Sequence, residues 1–134
     1  ALLRLMGRET ADQIMAYLPQ EKILFSSDVV LNGAPPYYAD PAVSVQDWIA
    51  ALDAILALAP EVIVPGHGPL ADKAALTKHR DMLVTVRDRV QKLKTSGRKL
   101  EEVLAAKPSA EFDATWGKGF MMPNDFLGII YNTL

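Results

Sequence analysis

The sequence predicts a layered α/β fold, with short strands around one helix in its first half and helices alone in its second. Three observations predict it. Ile23-Leu24-Phe25 and Val62-Ile63-Val64 are short apolar runs bounded by turn residues, as buried strands are. Between them Trp48, Leu52, Ile55 and Leu56 recur at helical spacing, which gives a strand–helix–strand order. Beyond residue 72, Leu76, Leu83 and Val90 recur with His79, Val86 and Leu93 at heptad spacing, the mark of a long helix.

Each element follows from its own residues. Ala1 to Met6 is mostly apolar and is a short strand candidate. Gln13–Leu18 and Lys22–Phe25, joined by the turn Pro19-Gln20-Glu21-Lys22, read as an antiparallel hairpin. Ser26-Ser27-Asp28 interrupts the apolar run and Val29-Val30-Leu31 resumes it. Asn32 to Val43, with its prolines and the pair Tyr37-Tyr38, is a loop whose tyrosines either line a pocket or pack the loop onto the body. Ser44 caps a helix, with Asp47 placed as in a capping box and Pro60 as its end. The long helix runs from about Asp72 to Ser96 and is stopped by Gly97. Leu100, Val103 and Leu104 mark a short helix ended by Pro108, and Ser109 to Met122 reads as irregular. Pro123 opens a last helix with Phe126, Ile129, Ile130 and Leu134 on its apolar side.

The totals exclude several classes of function. A chain of 134 residues has the length of one domain. The division expected within it is residues 1–70 as the strand-bearing part and 71–134 as a helical extension packed on it. Net charge is −2, with acids and bases interspersed, so there is no basic field for nucleic acid and no polybasic anchor. No apolar run approaches the ~20 residues that span a bilayer. A soluble, cytoplasmic protein is therefore favoured. There is no cysteine, so any metal site must use His, Asp or Glu.

Two residues stand out chemically. Pro65-Gly66-His67-Gly68-Pro69 holds a histidine on a stiff turn directly after an apolar strand. His67 there is placed for chemistry or metal binding, or is simply the polar residue of a rigid turn. Asp28, set between two apolar runs, needs a cation, a metal or backbone donors, or caps a turn. His79 sits at the edge of the heptad stripe and reads as a helix-face residue rather than a ligand.

Four pieces in this order resemble the C-terminal half of the metallo-β-lactamase superfamily. They are the hairpin from Tyr17-Leu18-Pro19 to Ile23-Leu24-Phe25, then Ser26-Ser27-Asp28-Val29-Val30, the helix from Trp48 to Asp53, and Val64-Pro65-Gly66-His67-Gly68-Pro69. The tail, from Phe112-Asp113 through Trp116-Gly117-Lys118-Gly119-Phe120 to Pro123–Leu134, is also similar. The family usually has Gly where Ser27 stands. The resemblance implies half of an αββα sandwich with a helical tail, and a metal-dependent hydrolase, most members holding two zinc ions. It implies that Asp28 bridges both metals and that His67 is the last histidine ligand. A carboxylate has two oxygens to share and a neutral imidazole is a good zinc donor. A metal-activated hydroxide would attack an ester, thioester, lactone or lactam type of bond in a small-molecule substrate.

The departures shape the expectation. The family's N-terminal His-x-His-x-Asp-His motif is absent, and His67 and His79 are the only histidines. Where the family places a histidine before Thr, Glu9 precedes Thr10, so Glu9 is the third candidate ligand. A catalytic zinc takes about three protein ligands. The chain by itself is therefore expected to be inactive, without a catalytic residue of its own and with its zinc absent or partial. The alternative is a non-catalytic half-domain. Either way an open sheet face is expected, to be covered by the missing N-terminal half or by a second copy in a homodimer.

Overall fold

The sheet has four strands in the order β1-β2-β3-β4: Leu2–Leu3, Met15–Leu18, Ile23–Leu31 and Val62–His67. The first three pair antiparallel, and β3 and β4 pair in parallel across the helix α1, Val45–Ala57. This computed structural model describes residues 14–33, 44–119 and 121–134, with the backbone of β1. Four further helices follow among the described residues: α2 Lys73–Thr95, α3 Leu100–Ala106, α4 Ala110–Trp116 and α5 Pro123–Thr133.

Alternation along the strands gives the sheet two unlike faces. Met15, Leu24, Ser26 and Ile63 are fully buried, and α1 packs on β3 from that side. The register rows Ala16–Phe25–Val64 and Leu18–Ile23–Val62 form the opposite face. There Leu18 and Phe25 are exposed, and Ile14, in phase with them, is 58% exposed. Beyond β4, Ala71 exchanges both backbone hydrogen bonds with Ile63, at 2.8 and 2.9 Å. Leu70, next to it, is 66% exposed. Of the exposed large apolar side chains among the described residues, only Met122 lies outside this segment of sheet and its edge.

The helix signals act where the sequence places them. The Ser44 hydroxyl oxygen accepts from the Asp47 N–H at 3.1 Å, and the Asp72 carboxylate accepts from the Ala75 N–H at 2.8 Å. Gly97, at φ +86°, follows the α2 cap, a backbone geometry that a side chain disfavours. Trp48, Leu52 and Ile55 of α1 are buried, as are Leu76, Met82, Leu83, Val86 and Val90 of α2. Phe126, Leu127 and Ile130 of α5 join the same apolar cluster. None of the helices among the described residues is long and apolar enough to cross a membrane.

Three expectations are corrected. Ser109 to Met122 is not irregular throughout, because α4 occupies Ala110–Trp116. Gly117 and Gly119 dominate that stretch of sequence, but Phe112 and Trp116 stand four apart and meet edge-on at 6.0 Å. The Arg89 guanidinium lies 5.8 Å over the Phe112 ring. Nor does the second hairpin strand end at Phe25, since β3 runs on, with irregular pairing, to Leu31.

His79 belongs to the core rather than to the helix edge, being 3% exposed. Its ring stacks on Trp116, with centroids 6.4 Å apart, and its Nε2 has no hydrogen-bond partner among the described residues. Burial disfavours the charged imidazolium and pushes its pKa down to about 4. The unfolded chain, at the ordinary 6.5, then binds more protons than the folded one between these values. Stability contributed by neutral His79 is complete above pH 6.5 and is lost progressively as pH falls toward 4. The full loss is about 3 kcal/mol, at ~1.4 kcal/mol per pKa unit. Urea unfolding of the His79→Leu variant is expected to show a shallower fall in stability over this window than the native chain.

Candidate metal centre

The site starts from a break in the parallel ladder. Ile23, Leu24 and Phe25 pair with Val62, Ile63 and Val64 in step. Pro65 has no N–H to donate, so regular pairing stops there. The register then jumps: Ser27 faces Pro65, and Leu31 faces His67. The residues between, Asp28-Val29-Val30, arch over Gly66 as a bulge. Bulges bend a strand and re-aim its side chains, and here the outcome is an exposed Asp28 beside β4.

Two serines hold the bulge. Ser26 is buried, and its hydroxyl donates to the Val64 carbonyl at 3.2 Å. Ser27 takes the left-handed conformation at φ +50°, which costs a residue with a Cβ about 1–2 kcal/mol. A glycine is the natural occupant of such a position.

Asp28 and His67 are brought together at the end of β3 and β4. His67 Nδ1 lies 3.1 Å from Asp28 Oδ1, and both side chains are open to solvent. With its proton on Nδ1 the imidazole donates to the carboxylate, and Nε2 keeps a free lone pair. Gly66 makes the approach possible. A Cβ there would run into Asp28 Oδ1 and come within 2.8 Å of the Ser27 carbonyl carbon and oxygen. The pair suits a divalent cation in kind, one acceptor-only carboxylate beside one imidazole. It falls short in number, for no group of three or more His, Cys, Asp or Glu that could hold a metal occurs among the described residues.

The other sequence candidates separate. Glu9, Tyr37 and Tyr38 lie outside the described residues. His79 is remote in role, buried against Trp116. Sequence reasoning missed Gly66 as the space that admits Asp28, and Ser26 as the tie between the strands. Asn32 stands in the turn after β3, as the sequence suggests, and what sequence reasoning missed is that it bonds to the turn that carries His67.

Residues 8–67, which include Asp28 and His67, match the profile described as "Metallo-beta-lactamase superfamily". This segment belongs to the metallo-β-lactamase superfamily. A "Beta-lactamase-like protein 2 homolog" from Caenorhabditis elegans is 36% identical over 64 residues, covering 48% of this chain and 20% of that protein. The chain thus spans about a fifth of the curated relative it matches. A metallo-β-lactamase from Pontibacter korlensis superposes with a TM-score of 0.50 at 29% identity, over 61% of this chain and 40% of that one. The stereoselective inverting sec-alkylsulfatase Pisa1 from Pseudomonas sp. superposes over 97% of this chain and 23% of its own, with a TM-score of 0.73 and 22% identity. The last likeness is one of fold, and its coverage takes in the helices that follow the site.

Two substitutions test how the site is built. Ser27→Gly is expected to raise stability by roughly 0.5–1 kcal/mol, the left-handed strain removed less the added freedom of the unfolded chain. Denaturant titration reads that change. Gly66→Ala is expected to part Asp28 from His67 and to lower stability by about 1–3 kcal/mol, as overpacking does. Loss of the nuclear Overhauser contacts between the two side chains is the direct readout.

Proposed function

We propose that this chain is the carboxyl-terminal part of the catalytic fold of a zinc-dependent hydrolase of the metallo-β-lactamase superfamily. The observation that carries the reading is the 3.1 Å approach of His67 to Asp28 at the ends of two parallel strands. In such sheets the carboxyl ends of the strands are where ligands gather. Asp28 and His67 would be the ligands supplied by the described residues, and Glu9 is the third candidate. When bound, zinc supplies Lewis acidity at a carbonyl or related oxygen and activates water near neutral pH. Asp28 contributes negative charge and a second oxygen, and His67 contributes a neutral nitrogen donor. The substrate class is a small molecule with an ester, thioester, lactone or lactam bond. Sulfate esters join it because the alkylsulfatase fold extends through the helical tail of this chain.

The open face of the sheet supports the accompanying proposal about what completes the site. Ile14, Leu18 and Phe25 present a contiguous apolar surface of a kind that soluble proteins cover. Its occupant in this reading is a second sheet from the rest of the same fold, since the chain spans only 40% of the lactamase it superposes on. That sheet also supplies the missing ligands. The second reading is a non-catalytic half-domain in which another copy of the chain covers the same face.

Metal analysis and light scattering decide between these. The whole protein carrying this sequence is expected to hold zinc and to hydrolyse one member of an ester, thioester, lactone, lactam and alkyl sulfate panel. Asp28→Ala and His67→Ala are each expected to reduce zinc content and to lower hydrolysis by at least ~100-fold, as loss of a ligand does. A metal-free, inactive protein whose light scattering gives twice the chain mass, unchanged by either substitution, would establish the half-domain instead.

A further inference from the structure

We propose that Asn32 is a positioning residue for His67, an inference that rests on reading Asp28 and His67 as metal ligands. Asn32 stands at the end of β3, immediately after Leu31, which pairs with His67. Its main-chain N–H donates to the His67 carbonyl at 3.0 Å. Its side-chain Nδ2 donates to the carbonyls of Pro69 at 3.0 Å and Leu70 at 3.3 Å. Three carbonyls on the strand end and turn around His67 therefore converge on one residue just past the end of the neighbouring strand.

The turn is shaped to permit this. Gly68 adopts φ +94°, and a Cβ there would collide with the Asn32 carbonyl oxygen. The two backbones can approach only because residue 68 has no side chain. Pro65 and Pro69 lack N–H groups, so they cannot donate hydrogen bonds that would tie the turn down from their own positions. The Asn32 amide supplies two hydrogens on one nitrogen, which matches two adjacent carbonyls. Neither Asp nor Leu, both close to Asn in shape, can supply them.

Asn32 makes no hydrogen bond to Asp28 or to the His67 ring, so its action runs through the backbone of the turn. It fixes the carbonyl of His67 and the two residues beyond Gly68. This sets the height and direction from which the imidazole meets Asp28. Groups that orient a ligand in this way typically change metal affinity by about 10–100-fold.

The test uses the whole protein that carries this sequence. Zinc affinity is measured by chelator competition, and backbone hydrogen exchange over residues 65–72 is measured on the metal-free protein. Asn32→Leu is expected to weaken zinc by about 10–100-fold, to alter the cobalt-substituted absorption spectrum and to speed exchange in the turn. Asn32→Gln, which keeps the two amide hydrogens on a longer arm, is expected to recover part of each change. An Asn32→Leu protein with zinc affinity within about twofold of native and unchanged exchange would overturn the proposal. Should Asn32→Leu fail to fold, Asn32→Asp keeps the shape and the main-chain bond, and unchanged exchange in it is equally fatal. A native protein that takes up no zinc sinks the ligand reading of Asp28 and His67. The exchange comparison then still decides, by itself, whether Asn32 holds the turn.

Discussion

The parallel pairing of β3 with β4, and its interruption at Pro65, is the constraint on which the rest of the structure depends. While the two strands run in step they form the buried floor on which α1 lies. Where Pro65 withholds its N–H, β3 has residues to spare and must bulge. The bulge turns an acid out of a strand that is otherwise apolar. An aspartate in the middle of a regular, covered strand would be buried at high cost. In the bulge it is exposed, yet held against the one residue of β4 that answers its chemistry. The same irregularity thus removes a penalty and creates a site.

The rest of the chain can be read as support for that corner. The helix α1 makes the parallel connection possible, since such pairs need a crossover. The Ala71–Ile63 bridge closes the outer edge of β4, and Asp72 then caps α2 directly. The heptad face of α2 buries against α1 and α5. The helices are closed around their own core, while the far side of the sheet is not. Among the described residues there is thus one buried layer boundary and one sheet surface on which apolar side chains stay exposed.

Much of this was legible in the sequence because the signals are local. Ser44, Asp72, Gly97 and Pro123 fix helix ends by chemistry confined to one turn, and the structure places each where its type predicts. Asp28 and His67 stood out because each is polar or rigid against an apolar background. What stayed hidden was non-local. The burial of His79 depends on Trp116, thirty-odd residues away along the chain, and no heptad count conveys it. The role of Gly66 is a space left for Asp28, visible only once the two strands lie side by side. Asn32 and Gly33 form a turn, as an Asn-Gly pair usually does, but the bonds from Asn32 to the Pro69 and Leu70 carbonyls lie far along the chain. The helix α4 was obscured by glycines that stand just beyond its end. Ser27 is the instructive case. The departure from the family's usual glycine is evident in the sequence, but its meaning comes from a positive φ that only the backbone reveals.

The separation of Asp28 from His67 has a kinetic meaning. They are 39 positions apart, with a helix between them, so their contact closes a long loop. The two residues meet only where β3 and β4 are paired in register, and long-range pairing of this kind is slow. The corner is thus a report on the completed fold, since a chain that has only formed its helices does not present it. Any ion or molecule that bridges the two residues would bind the native chain more tightly than the unfolded one, and would stabilise the fold by mass action. Chemistry and folding cooperativity are, in this architecture, wired to the same pair of side chains.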